Sequence, residues 1–278
     1  MNKRQKDIFK QYSSDSGRIF YRHVMGDGSD HIHYGIYETD QTPMLDALTG
    51  SSKRLLELCQ QRRSVESMQS ILDLGAGAGG ATKYLLSWTD AAITCFDLGE
   101  PSLLDLKNWA KEKNLSQRVE TQVGSFDEYP EEWGSKYDIV WSQDALCHAE
   151  NRSKLFGDLK RSLKSEGILA FTDILLAETA SEEQIKAFSS VNAVQSLENE
   201  SQYTEKLKAA GFENITVEDW TPNLKTNFEK MLNQIVTGRE MLLENNVPEE
   251  LISGFAEALK KRISWSTSPM EWKAFICW

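Results

Sequence analysis

With 278 residues, the chain is long enough for one large α/β domain, and 42 acidic against 31 basic side chains give a formal charge of −11, the wrong sign for a nucleic-acid partner. Its longest apolar stretches have strand length, far below the roughly 20 residues of a membrane span, and its first residues lack the apolar core of a signal peptide. Four scattered cysteines with no C-x-x-C pair suit a reducing, cytoplasmic setting. Residues 1–69 read as an N-terminal helical and lid segment, with a helix over 44–61. Strands are predicted at 70–74, 92–98, 118–123, 137–142 and 168–174, with helices at 81–88, 101–113 and 152–164 between them. That alternation predicts an α/β fold: a parallel sheet with crossover helices and a ligand crevice beyond the carboxyl ends of the strands. Gly211 stops a further helical region before a sixth strand at 215–220, which closes a core spanning 70–220. Residues 221–270 read as a helical cap, because structureless loops of that length are rare, and 271–278 supply the last core strand.

The run Ile71-Leu72-Asp73-Leu74-Gly75-Ala76-Gly77-Ala78-Gly79-Gly80 is a strand ending in a glycine-dense turn that opens a helix. Glycines permit positive φ and let a ligand approach the backbone. Gly75, Gly77 and Gly80 satisfy G-x-G-x-x-G, which nicotinamide dinucleotide and S-adenosylmethionine (SAM) enzymes share. Asp73 discriminates between them: a carboxylate there repels a pyrophosphate seated on the helix N-terminus and attracts the ammonium of a methionine moiety. Asp97, with Leu98, ends the second strand, where an acid takes the hydroxyls of a ribose. Ser125 and Phe126 follow the third strand, placed for the edge and face of an adenine, and Gln143 ends the fourth. The expected cofactor set is therefore Asp73, Gly75, Ala76, Gly77, Asp97, Leu98, Ser125, Phe126 and Gln143.

His148 follows the fourth strand beside the expected methyl-transfer position and suits proton uptake near neutral pH. Asp173, at the end of the fifth strand, is a second candidate for catalysis, or for holding a cationic substrate. The tract Tyr21-Arg22-His23 to Tyr37 carries three of the four histidines. His31-x-His33 on one face of a strand, with no cysteine near and no H-E-x-x-H, is too few ligands for zinc, so no metal is expected. The tract reads instead as a lid, with Tyr21 and Tyr34 closing over ligand and Arg22 offering a planar fork to a carboxylate. Trp265, at the end of the cap, is the tryptophan expected at the substrate.

The glycine turn, Asp97 and Ser142-Gln143-Asp144 together resemble class I SAM-dependent methyltransferases. More narrowly, Phe20-Tyr21-Arg22, the His31-to-Tyr37 tract, the glycine turn, Gly124-Ser125-Phe126 and Trp141-Ser142-Gln143-Asp144 resemble sarcosine/dimethylglycine N-methyltransferases, which make glycine betaine. The resemblance implies a Rossmann-like seven-stranded sheet with helices on both faces, one antiparallel strand, and a helical cap before the last strand. It also implies SAM as methyl donor, S-adenosylhomocysteine (SAH) as product, and a small-molecule acceptor. Relatives carry Tyr where this chain has Ala78, and Pro-Met where it has Ile174-Leu175. An S- or O-methyltransferase of another small metabolite is the alternative within the class. An NAD(P) oxidoreductase and a SAM-binding regulator without turnover are the alternatives outside it.

Overall fold

The computed structural model describes residues 1–182, 184–185, 197–265 and 268–278. Seven strands form one sheet: β1 (Ser70–Leu74), β2 (Ala92–Asp97), β3 (Val119–Val123), β4 (Tyr137–Gln143), β5 (Leu163–Leu176), β6 (Thr216–Asp219) and β7 (Met270–Cys277). Their order is β3-β2-β1-β4-β5-β7-β6. Only β7 runs against its neighbours, pairing antiparallel with both β5 and β6. The order turns back between β1 and β4, where Asp73 lies opposite Trp141. Such a switch point leaves a crevice at the carboxyl ends of the two strands.

The helices follow from capping and amphipathic pattern. Two open the chain, α1 (Lys3–Tyr12) and α2 (Asp15–Val24); the first starts on a reciprocal Asn2–Gln5 capping box and the second on Ser14. Next comes α3 (Met44–Gln60), which buries Leu48, Leu55 and Leu56. The crossover helices are α4 (Gly80–Leu86), α5 (Glu100–Glu112) and α6 (Arg152–Ser162), with α7 (Glu200–Ala209) ahead of β6. Between β6 and β7 stand α8 (Leu224–Glu244) and α9 (Glu249–Ser264), which pack on each other. One apolar core joins α2, α3, α8 and α9 to the sheet through Phe20, Leu48, Trp141, Phe228 and Trp272. A second, built on Phe156, Phe171, Tyr203 and Phe275, fills the opposite face.

The structure departs from the sequence reading in three places. β5 starts at Leu163, earlier than expected, because Leu163 pairs with Tyr137 across a register shift ahead of Ile139. Phe20 to Val24, expected within a lid tract, belong to a helix. His31 and His33 lie on no strand; their rings bond each other, Nδ1 to Nε2, at 2.9 Å. Burial pulls both imidazoles down, to about 3 and about 4, so both are neutral at neutral pH. Among the described residues no group of three or more ligating side chains is arranged to hold a metal ion. No described helix is long and apolar enough to cross a membrane.

Candidate active site

A cavity of about 340 Å³ opens at the switch point. Its floor is the glycine turn, where Gly75 and Gly77 hold φ of 80° and 52°. A Cβ added at Gly77 would meet nothing within 4 Å, so a side chain there would fill open cleft rather than protein. Gly80 answers a different demand: its Cβ would come within 2.5 Å of the Asp30 carbonyl oxygen, so glycine lets the N-terminal tract press against the first turn of α4.

Asp97 also lines the cavity. Its carboxylate accepts from the Gly77 amide at 2.9 Å and the Gly99 amide at 2.7 Å, which fixes it beside the turn. Burial raises its pKa while those amides oppose the rise. Leu98, Ser125, Phe126 and Gln143 line the same cavity, as expected positions for nucleoside and methionine contacts. The Ser125 hydroxyl accepts from Gln5 Nε2 of α1 at 3.0 Å, so the first helix reaches over this wall of the cavity. Gln143 is set by Ser52 Oγ, which donates to its Oε1 at 2.8 Å. An open glycine cradle, a fixed acid on the second strand and an aromatic wall together fit an adenosyl ligand.

Asp73 and Ala76 do not reach the cavity wall. Asp73 is 2% exposed and accepts from Thr82 Oγ1 at 2.5 Å, beneath the turn rather than above it. Burial lifts it to about 7. Asp73 is thus held under the turn by Thr82, without a place on the cavity wall. Ala76 donates its amide to the Phe96 carbonyl oxygen at 3.3 Å and is a packing residue of the turn.

On the acceptor side the structure brings together His148, Tyr21 and Tyr34, and adds Tyr12 and Asp144. His148 ends a short 3₁₀ turn (Leu146–His148), with its ring edge-on to Tyr12 at 5.5 Å between centroids. Tyr12 and Tyr21 lie 4.6 Å apart, and the Tyr21 hydroxyl accepts from Gln11 Nε2 at 2.7 Å. Asp144 follows β4 in a left-handed conformation, φ 53°. One carboxylate oxygen accepts from Thr172 Oγ1 at 2.7 Å and Trp272 Nε1 at 2.8 Å; the other accepts from the Tyr34 amide at 2.9 Å. Those three donors hold the carboxylate at the crevice, and burial raises its pKa.

Of three further residues expected at the substrate, Asp173 and Trp265 lie off the cavity wall, while Arg22 lines it at the rim. Asp173 is 0% exposed, off the cavity wall, and accepts from the Tyr203 hydroxyl at 2.7 Å; burial raises it to about 7. It points into the second core, because alternate residues of β5 face opposite sides of the sheet. Arg22 stands at the rim with a side chain 60% exposed, donating Nε to the Gly28 carbonyl oxygen at 2.9 Å and pairing with Asp30 at 3.7 Å. Trp265 caps α9 and packs half-buried against the first core, away from the cavity. Ala78 and Ile174, two of the three positions read from the resemblance as departures, line the cavity, while the third, Leu175, is buried off it.

Residues 72–171 match the methyltransferase domain model. A glycine/sarcosine/dimethylglycine N-methyltransferase of Actinopolyspora halophila is 31% identical over 86% of this chain, which spans only 41% of that protein. A sarcosine/dimethylglycine N-methyltransferase of Halorhodospira halochloris is 27% identical over 96% of this chain and 91% of its own. The fold is shared with a structure from Galdieria sulphuraria described as a candidate sarcosine dimethylglycine methyltransferase, at TM-score 0.84 and 23% identity over 95% of this chain and 98% of that one. Residues 72–171 are a methyltransferase domain, and the chain that carries them is similar over most of its length to proteins named as sarcosine/dimethylglycine N-methyltransferases.

Proposed function

We propose that the protein N-methylates a small amine of the glycine series, sarcosine or dimethylglycine, toward betaine. The observation that carries this reading is the ring of Tyr12, Tyr21 and Tyr34 around Asp144 and His148, in the same cavity as the glycine turn. Tyrosine faces attract an ammonium, and a quaternary product keeps that attraction while losing every hydrogen-bond donor. The names of the relatives support the same acceptor class.

When bound, SAM supplies a methyl group on a sulfonium, so the protein's task is chiefly alignment. Gly77 and Asp97 would hold the nucleoside side. Asp144, its oxygens already oriented by three donors, would hold the acceptor nitrogen electrostatically. His148 would accept the proton that a secondary amine releases; a neutral tertiary amine has none to give. The half-buried Tyr12 and buried Tyr21 exclude water from the transfer position.

An acceptor ladder tests the assignment of the nucleophile. Sarcosine, glycolate and mercaptoacetate present nitrogen, oxygen and sulfur on closely related two-carbon acids. Turnover of sarcosine and dimethylglycine with silence on the other two is the expected result. Preference for glycolate or mercaptoacetate would move the protein to the O- or S-methyltransferase alternative.

A further inference from the structure

We propose that Arg262 selects acceptors by their acid end, making the acceptor pocket complementary to a zwitterion; this rests on the N-methyltransferase reading above. Arg262 occupies the last turn of α9, is 6% exposed, and lines the cavity. Its guanidinium lies over the ring of Phe228 from α8, 5.5 Å from the centroid, and Phe228 in turn meets Tyr34 edge-on at 6.0 Å. Asp144 lines the same cavity and accepts from the Tyr34 amide.

Tyr34 therefore sits in the field of both charges, its hydroxyl pushed up to about 12 by burial, with Arg262 opposing that rise and Asp144 adding to it. Tyr12 and Tyr21 also lie in the field of Arg262. A fixed carboxylate and a buried guanidinium lining one cavity match an amine at one end of a ligand and a carboxylate at the other. A planar guanidinium with little competing water is the geometry that binds a carboxylate well. Arg22, the sequence candidate for this work, also lines the cavity, but its side chain is largely exposed and donates Nε to the Gly28 carbonyl oxygen, so water competes for it.

The test is calorimetric binding of dimethylglycine to the SAH complex, which needs no turnover, for wild type, Arg262→Lys and Arg262→Met. Loss of a charge-assisted partner should weaken dimethylglycine by roughly 10- to 100-fold in Arg262→Met, with Lys recovering part of the loss. SAH affinity in the same samples should stay within about twofold, which separates acceptor contact from damage to the cap. Steady-state rates with dimethylglycine and N,N-dimethylethylamine add a second readout: the preference for the carboxylated amine should fall through KM rather than kcat. Unchanged dimethylglycine affinity in Arg262→Met, or an equal loss on both amines, overturns the role of Arg262. A wild-type enzyme that binds dimethylglycine through Arg262 yet never methylates it would leave this inference standing and contradict the proposed function instead.

Discussion

At the scale of residues, legibility followed chain direction and burial. Asp97, Ser125, Phe126 and Gln143 were readable because each immediately follows or ends a strand, and strand ends face the crevice. Asp73 and Asp173 stand off the cavity wall for a related reason: successive residues of a strand face opposite sides of the sheet, and a one-residue difference decides which. Arg262 and Tyr12 were not readable, since each comes from a helix whose packing angle no local pattern records. Two outcomes test the residue roles. On the proposed ribose role for Asp97, Asp97→Ala should weaken SAM and SAH by a similar factor, on the order of 10-fold or more, since both carry that ribose; titrations showing one ligand spared would refute that role. His148→Ala should depress sarcosine turnover more than dimethylglycine turnover, because only the secondary amine must lose a proton. Equal losses would assign His148 to positioning against Tyr12.

At the scale of elements, the alternating strands and crossover helices were legible from periodicity, and Gly211, at φ 89°, ends α7 as expected. The first two helices were not, although Asn2-x-x-Gln5 is a capping-box spacing. Their sequences are polar and short, and their apolar faces gain meaning only over the cavity. α2 is anchored by Phe20 and Val24 in the first core, but what fastens α1 is modest, chiefly Gln5 on Ser125; Arg18 of α2 adds an ion pair to Asp105 at 2.5 Å, where the carboxylate is 62% exposed. A partly exposed ion pair contributes on the order of 0.2–1 kcal/mol. A covering element fastened this lightly should open to admit the cofactor. Gln5→Ala is expected to speed SAH release by roughly 2- to 10-fold with little change in association. Stopped-flow displacement reads this directly, and an unchanged release rate would show that α1 does not gate the nucleoside.

At the scale of the molecule, the buried acids set an unusual pH response. Burial lifts Asp73 and Asp173 to about 7, against about 4 in an unfolded chain. Between those values the folded protein holds protons that the unfolded chain has released. Their contribution to stability is therefore fully present below about pH 4 and is lost as pH rises through about 7. Asp138 works oppositely: despite burial, Lys164, the Gln69 amide and Ser70 hold it down at about 2, so its contribution fades only in acid. Asp73 and Asp173 pull melting temperature down from pH 5.5 to 8 in the absence of ligand, against an opposing rise from His31 and His33, whose imidazoles in the unfolded chain lose their protons at about pH 6.5. Asp173→Asn, which keeps an acceptor for Tyr203, should weaken that pull; an identical slope in the variant would contradict the assignment.

The central claim is that this cavity transfers a methyl group to the nitrogen of a glycine derivative. Its most direct test is to incubate the purified protein with SAM carrying an isotope-labelled methyl group and with unlabelled dimethylglycine, following products by mass spectrometry. The account predicts labelled betaine accumulating in step with SAH, one for one. Formation of SAH without labelled betaine, or no SAH with dimethylglycine or sarcosine while another acceptor is labelled, would contradict it.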